Sequence, residues 1–428
     1  MRLLLLSTLI MLLVAAAPHA SRGAALATAA PDSTAIDNTV EAGEADAEEP
    51  RRKLVKWNEY DGPISTLRFG FGFLVDVVGY SQDDGSKAQL PTFDNPDAGL
   101  RDFRVLLKGK FKTTRPFSWT LGYMYDGADE EWHFRQTGII VGVPELKGNF
   151  FVGRTKEGYS MIKVMVGYHG WTNERSPAND AFVPILADGI KYMGYYERPR
   201  VYLSLGAYKN GSWENPKFAT ADEQVVARLG WLPRLEEDGQ ELLYVGAMTR
   251  AFTPDNGSIQ PRARGGSYLG PYFVDAGRFD SDHGRTDGVE AFYRKGPWLF
   301  GTEYHWQNLT PTGEGDVLFH GGNAVVTWNI TGETRPYNVR GAYFQAVSPK
   351  QTVFEGGPGA WEAVLDVSYV DLDSGRFHGG KYWRLTPMVN WHMSDNVRLE
   401  FTYGYGELDR FGLTGATQFF QGRVQFTL

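Results

Sequence analysis

Along much of this chain every second residue is hydrophobic. From Leu67 to Gly79 the odd positions Leu67, Phe69, Phe71, Phe73, Val75 and Val77 are apolar, with Arg68, Gly70, Gly72 and Asp76 between them. Phe103, Val105, Leu107 and Phe111 alternate with Asp102, Arg104, Lys108 and Lys110. The pattern returns at Phe117, Trp119, Leu121, Tyr123 and Tyr125, at Trp298, Phe300, Thr302, Tyr304 and Trp306, and at Val397, Leu399, Phe401, Tyr403 and Tyr405. It holds to the C-terminus, where Phe420, Gly422, Val424, Phe426 and Leu428 alternate with Gln421, Arg423, Gln425 and Thr427. A two-residue period describes a strand with one apolar and one polar face. Soluble β-sandwiches alternate too, but segments of ten residues or more exceed the usual soluble strand and suit a tilted crossing of a bilayer.

The expected fold class is all-β: a transmembrane antiparallel β-barrel of about 16 strands, within the even-numbered range of bacterial outer-membrane barrels. Strands are expected to start near residues 67, 100, 117, 132, 147, 187, 201, 222, 240, 287, 298, 321, 359, 381, 397 and 417. Such a barrel must close, because an open edge leaves backbone groups unpaired in hydrocarbon. If the first strand runs outward, the long links 81–99, 155–186 and 251–286 fall outside, and the tight links 113–116, 198–200 and Lys295–Pro297 fall on the periplasmic side. The link 331–358 is long yet lands on the periplasmic side, and alternation supplies no reason for it. The apolar stripe of the last strand also resembles the signal read by the outer-membrane assembly machinery, an expected partner together with outer-membrane lipid.

Composition narrows the picture. The 428 residues include no cysteine, which removes disulfides, thiolate chemistry and cysteine-bearing zinc sites. Aromatics at 14% and 51 glycines fit interfacial girdles and many turns. Arg2, the apolar stretch Leu3–Ala17 and the small residues after it have the layout of a secretory signal peptide, expected over 1–23. An Ala- and acid-rich lead-in follows over 24–56, expected to be disordered, and the barrel is expected over 57–428. Setting aside the lead-in's seven acids with Arg2 and Arg22 leaves 44 acidic against 41 basic residues, a near-neutral body that gives no argument for nucleic acid. After the leader no apolar run is long enough for a membrane helix.

Several stretches resemble the phosphate-selective porin O and P family. They are GAWEAVLDVSYVDLD (Gly359–Asp373), GGKYWRLTPMVNWHMSDNVRLEF (Gly379–Phe401), WNITGETRPY (Trp328–Tyr337), LRDFRVLLKGKF (Leu100–Phe111), FVGRTKEGY (Phe151–Tyr159) with Glu174-Arg175-Ser176, and GVEAFYRKGPWLFGTEY (Gly288–Tyr304). The resemblance covers 67–428. It implies a homotrimeric outer-membrane barrel whose third outer loop, 155–186 here, folds inward as a constriction, with basic side chains guiding phosphate or other anions.

A ladder of cations selects anions by replacing lost hydration and setting the local potential. Inward parity offers Arg68, Arg104, Lys108, Lys110, Arg228, Arg294, Arg384, Arg398 and Arg423, and the constriction loop offers Arg154, Lys156, Lys163 and Arg175. Lumen walls are polar in any case, so each charge has an equally good reading as a solvated wall residue. Two positions depart from the family pattern, which commonly has Arg where Asp102 and Asp366 stand. Asp76, Glu290, Glu303, Glu362 and Glu400 share the inward face. The expectation is a water-filled channel for small ions and solutes, anions such as phosphate among them, with weakened or altered charge preference. The alternatives are a general-diffusion or cation-preferring porin, an outer-membrane barrel enzyme, and a secreted soluble β-protein. No cofactor or metal is expected: the eight histidines show no HxxxH spacing, no GxSxG turn marks a nucleophile, and the GFG at Gly70–Gly72 opens no helix.

Overall fold

The computed structural model describes residues 57–93, 95–165, 167–209, 221–236 and 239–428. The leader expected over 1–23 and the lead-in expected over 24–56 lie outside the described residues. Sixteen strands make the wall: β1 (Thr66–Gln82), β2 (Asp97–Lys110), β3 (Phe117–Asp126), β4 (Glu131–Val143), β5 (Gly148–Thr155), β6 (Ala187–Tyr196), β7 (Val201–Lys209), β8 (Ala221–Leu235), β9 (Glu241–Pro254), β10 (Phe279–Lys295), β11 (Trp298–Pro311), β12 (Val317–Asn329), β13 (Ala360–Ser374), β14 (Phe377–His392), β15 (Val397–Arg410) and β16 (Leu413–Thr427). Each pairs antiparallel with the next, and β1 pairs with β16 from Gly72↔Thr427 to Gln82↔Thr417, which closes the cylinder. Closure satisfies the backbone of every wall strand without an edge.

The alternation sorts the side chains as the sequence predicts. On β1, Val75 and Val77 are exposed while Leu74, Asp76 and Val78 are buried. Leu205, Val225, Leu229, Val289, Phe401 and Val424 continue the exposed apolar band around the cylinder. Stacked aromatics mark both rims of that band: Trp298 on Trp328 at 5.1 Å and Trp361 on Trp391 at 5.0 Å at one end, Tyr123 on Trp132 at 5.2 Å towards the other. These are the interfacial girdles of a lipid-facing barrel.

Most strands begin within a few residues of expectation, but β10 starts at Phe279 rather than near 287. Its first eight residues, FDSDHGRT, carry little apolar alternation because they extend past the lipid-facing band. Links alternate between the two ends. The long links 156–186 and 255–278 share one end, here the loop end. At the turn end Gly296 and Pro297 suffice to join β10 to β11. The link 330–359 also starts at the turn end, where the amide of Ile330 donates to the carbonyl of Trp361 at 2.7 Å.

Candidate functional site: the barrel interior

The link 156–186 is tied to inward-facing side chains on both sides of the cylinder. Glu290 on β10 and Glu303 on β11 stand opposite each other in register and are both buried. Glu303 accepts from the Ser160 hydroxyl at 2.6 Å, the Ile162 amide at 2.9 Å and Asn179 Nδ2 at 3.2 Å. Glu290 accepts from the Met161 amide at 2.9 Å, from Arg228 Nε at 2.6 Å and from the Tyr244 hydroxyl at 2.5 Å. The amides belong to the first turn of the short helix Met161–Val164, capped by Ser160, where helix N–H groups lack internal partners. Both glutamates therefore serve as anchors. Across the barrel, Asn390 donates to the Trp171 carbonyl at 3.0 Å, Arg398 to Gly170 at 2.7 Å, Arg423 to Asn173 at 2.5 Å and Gln425 to Tyr168 at 3.1 Å.

The link 330–359 meets it from the turn end. Arg335 Nη2 donates to both Glu362 carboxylate oxygens, at 2.6 and 2.8 Å, and its Nη1 to the His169 carbonyl at 3.0 Å. Arg228 donates to the Ala342 carbonyl at 2.9 Å and Arg294 to that of Arg335 at 2.7 Å. Trp171 packs edge-on to Phe344 at 6.3 Å, and Met161, Ile162, Trp171, Tyr343 and Phe344 form one buried cluster with the wall residues Phe292, Leu299, Val325 and Val364. This contact gives the long turn-end link a structural role. Two links from opposite ends share an apolar core against the wall from β7 to β14.

What stays polar is a neck along β1, β2 and β16. A cavity of ≈ 50 Å³ is lined there by Arg101, Asp102, Arg104, Glu174, Arg175 and Arg423 among others. It adjoins a loop-end cavity of ≈ 780 Å³ that shares Arg101, Glu174 and Arg175. Each carboxylate at the neck already has cationic partners. Glu174 accepts from Arg101 Nε and from Arg423 Nη2, both at 2.9 Å; burial would raise its carboxyl, but Arg101 and Arg423 outweigh that and hold it down at about 2. Asp102 accepts from Arg104 and from the Tyr168 hydroxyl, and the Arg104 guanidinium lies 4.4 Å from the centre of the Tyr168 ring. Asp76 is spanned by Arg423 at 2.6 Å through both Nε and Nη2. The cations crowd one another. Burial, then Arg175, Arg135, Arg104 and Lys163, push the Lys156 ammonium well below its usual range, and burial with Arg175 nearby brings Lys163 down to about 7.

The expected lumen residues divide into three groups. Asp102, Arg104, Arg175 and Arg423 meet at the neck, with Lys156 in electrostatic reach, and Lys163 lines the wide cavity. Arg228, Arg294 and Arg398 hold the two links, while Arg384 and Asp366 are buried on β14 and β13, where Asp366 accepts from Asn323 at 2.7 Å. Arg68 is half-buried beside Glu59 at 3.5 Å, its register partner Lys108 is half-buried, and Lys110 is exposed, all towards the turn end. One expectation is corrected. Arg154 belongs to β5, not to the loop, because the pairing with β6 runs on to Thr155↔Ala187, and it pairs with its register partner Asp188 at 2.7 and 2.8 Å.

Arg101 was not among the expected residues. Strict alternation would turn it outward beside the inward Asp102, but the pairing slips between Leu74↔Asp102 and Val75↔Leu100, and this bulge brings both inward. A bulge leaves no mark in the hydrophobic pattern. His133, His305 and His392 are buried next to Asp129, Glu303 and Glu362, and among the described residues no group of three His, Asp or Glu could hold a metal ion.

A family model described as phosphate-selective porin O and P matches residues 76–428. An uncharacterised Caulobacter vibrioides protein is 33% identical over 127 residues, 30% of this chain and 25% of its own length, so the match spans a quarter of that relative. Among solved structures, the trimer form of OmpT, an outer-membrane protein of Vibrio cholerae, superposes with a TM-score of 0.54 at 11% identity, covering 85% of this chain and 100% of the other. The outer-membrane channel DcaP of Acinetobacter baumannii gives 0.54 at 10% identity over 86% and 99%, and an anion-selective porin from Comamonas acidovorans gives 0.50 at 11% over 85% and 100%. At these identities the structures speak to the fold.

Proposed function

The chain belongs to the phosphate-selective porin O and P family, and from that premise we propose that it passes small anions, phosphate among them, through the neck beside Arg101, Arg104, Arg175 and Arg423. As a family member with a closed sixteen-stranded barrel it is an outer-membrane channel of bacteria. In the proposal, the link 156–186 is the inward-folded constriction loop, and the loop end faces outward. The observation that carries the anion reading is the neck itself: Arg101, Arg104, Arg175 and Arg423 face Asp102 and Glu174, with Asp76 and Asp126 held behind on Arg423 and Arg101, and among the described residues neither Arg175 nor Lys156 has a carboxylate within 4.0 Å. A narrow, partly dehydrating passage with excess positive charge lowers the barrier to anions and raises it for cations. Asp102 does not reverse this, because Arg104 and Tyr168 occupy its oxygens. The proposed assembly is a homotrimer seated in outer-membrane lipid and delivered by the assembly machinery that reads the terminal strand.

A weakly selective general-diffusion channel is the second reading, favoured by Asp126, Asp129, Asp180 and Asp255 on the wide cavity. The deciding measurement is the zero-current potential of the refolded protein in a planar bilayer under a potassium chloride gradient, repeated with phosphate. An anion-sign potential with chloride current blocked by phosphate is expected. A potential near zero or of cation sign would favour the second reading.

A further inference from the structure

We propose that the loop-end cavity is a subsite for organic anions with an apolar body, a carboxylate or sulfonate head on a ring or short chain, in preference to inorganic phosphate; this rests on the channel reading above. The cavity, ≈ 780 Å³, falls within the range that holds small ligands. One wall is an apolar ledge that shows the cavity Ala181 and Ile185, both half-buried, backed by Phe182, Val183 and Pro184, which are buried. The short helix Pro177–Phe182, with Ser176 as its N-cap, sets the ledge in place, and Ala178 of that helix is fully buried.

The cationic wall is the small hairpin of Arg262–Arg264 and Tyr272–Asp275. Its two guanidiniums lie over one ring, Arg262 at 3.9 Å and Arg264 at 4.5 Å from the centroid of Tyr272. Among the described residues neither is within 4.0 Å of a carboxylate, and Arg264 spends Nη1 on the Gly270 carbonyl, which leaves its other N–H groups for a ligand. Held on an aromatic face, a guanidinium loses little freedom on binding and offers a planar fork suited to a carboxylate or sulfonate. The amide of Arg264 donates to Asp180 at 3.3 Å, which ties the hairpin to the helix bearing the ledge, so the walls are positioned together.

Inorganic phosphate would use the cations and leave the ledge wetted. An anion with an apolar body covers the ledge while its head meets Arg262 and Arg264, and each buried methylene tightens binding about fourfold.

The test compares benzenesulfonate with methanesulfonate, which share a head group and charge but differ in apolar body. Both are added to the full-length refolded protein in a planar bilayer and read as block of chloride current, and both are titrated calorimetrically into the protein in detergent. The expected half-block and dissociation concentrations for benzenesulfonate are about tenfold or more below those for methanesulfonate, and also below that for inorganic phosphate. The double variant Arg262→Gln with Arg264→Gln should weaken both sulfonates. Ile185→Asn, at a half-buried ledge position, should weaken benzenesulfonate alone. Equal affinity for the two sulfonates, stronger binding of phosphate, or an unchanged ratio in Ile185→Asn would overturn the subsite. Absence of channels alongside selective calorimetric binding would instead refute the channel reading and leave the subsite standing.

Discussion

Lys163 connects a single proton to the charge of the entrance. Its ammonium donates to the Asn179 carbonyl at 2.9 Å, and the charges acting on it include Arg175, Asp180, Glu157 and Glu303. Burial and Arg175 bring it down to about 7, while Glu174, held at about 2, stays ionised throughout the neutral range. As pH falls through that value Lys163 gains a proton and the entrance gains a positive charge, so anion preference should rise on acidification. Zero-current potentials taken roughly two pH units below and above would show it, with Lys163→Gln flattening the difference. The two family departures also separate at this scale. Asp102 lies at the neck, whereas Asp366 lines neither cavity. Asp102→Asn should shift the potential further towards anions, and Asp366→Asn should leave it where it was. Equal shifts would mean that ions pass along β13. Parity alone correctly turned both aspartates inward, yet it could not distinguish them, because which side of the lumen is packed shut depends on links that carry no period.

At the scale of elements, the strands were legible and the anchors were not. A ten-residue alternation is a repeated signal, so β3 and β15 start where the sequence expects them, at Phe117 and Val397. The helices Met161–Val164 and Pro177–Phe182 are too short for a helical period to register. Glu290 and Glu303 read simply as wall charges, but the structure uses them to accept the amides of the first of these helices. Hydrogen bonds to an ionised group contribute about 1.5–3 kcal/mol each, so Glu303→Gln should loosen the link 156–186 without preventing closure of the barrel. Single-channel recordings of Glu303→Gln should show more frequent conductance steps and greater open-channel noise than the parent. A quiet trace would mean that the bonds from Asn390, Arg398 and Arg423 on the opposite wall suffice to fix the link.

For the whole molecule, the barrel and the contents of its lumen are separable. The wall closes through β1 and β16 and presents its apolar face to lipid regardless of what fills it. Alternation specifies that wall almost completely, and it also puts the expected link 331–358 at the turn end; nothing in a strand period says whether such a link hangs free or turns back inside. Its contacts with His169 and Trp171 show that it turns back, and the proposed ion path lies on the side lined by β1, β2 and β16. Ile330 and Trp361 already meet at its base, so a two-residue turn could replace the intervening segment. That variant should still fold to a heat-modifiable band on an unboiled gel, since no wall pairing is lost. Its conductance should rise severalfold and its anion preference fall, because Trp171 loses its partner Phe344, and Arg228 and Arg294 lose the carbonyls that hold them. If the variant folds and conducts like the parent, the narrowest point is set by the link 156–186 alone, and the turn-end segment braces the lumen without closing any part of the ion path.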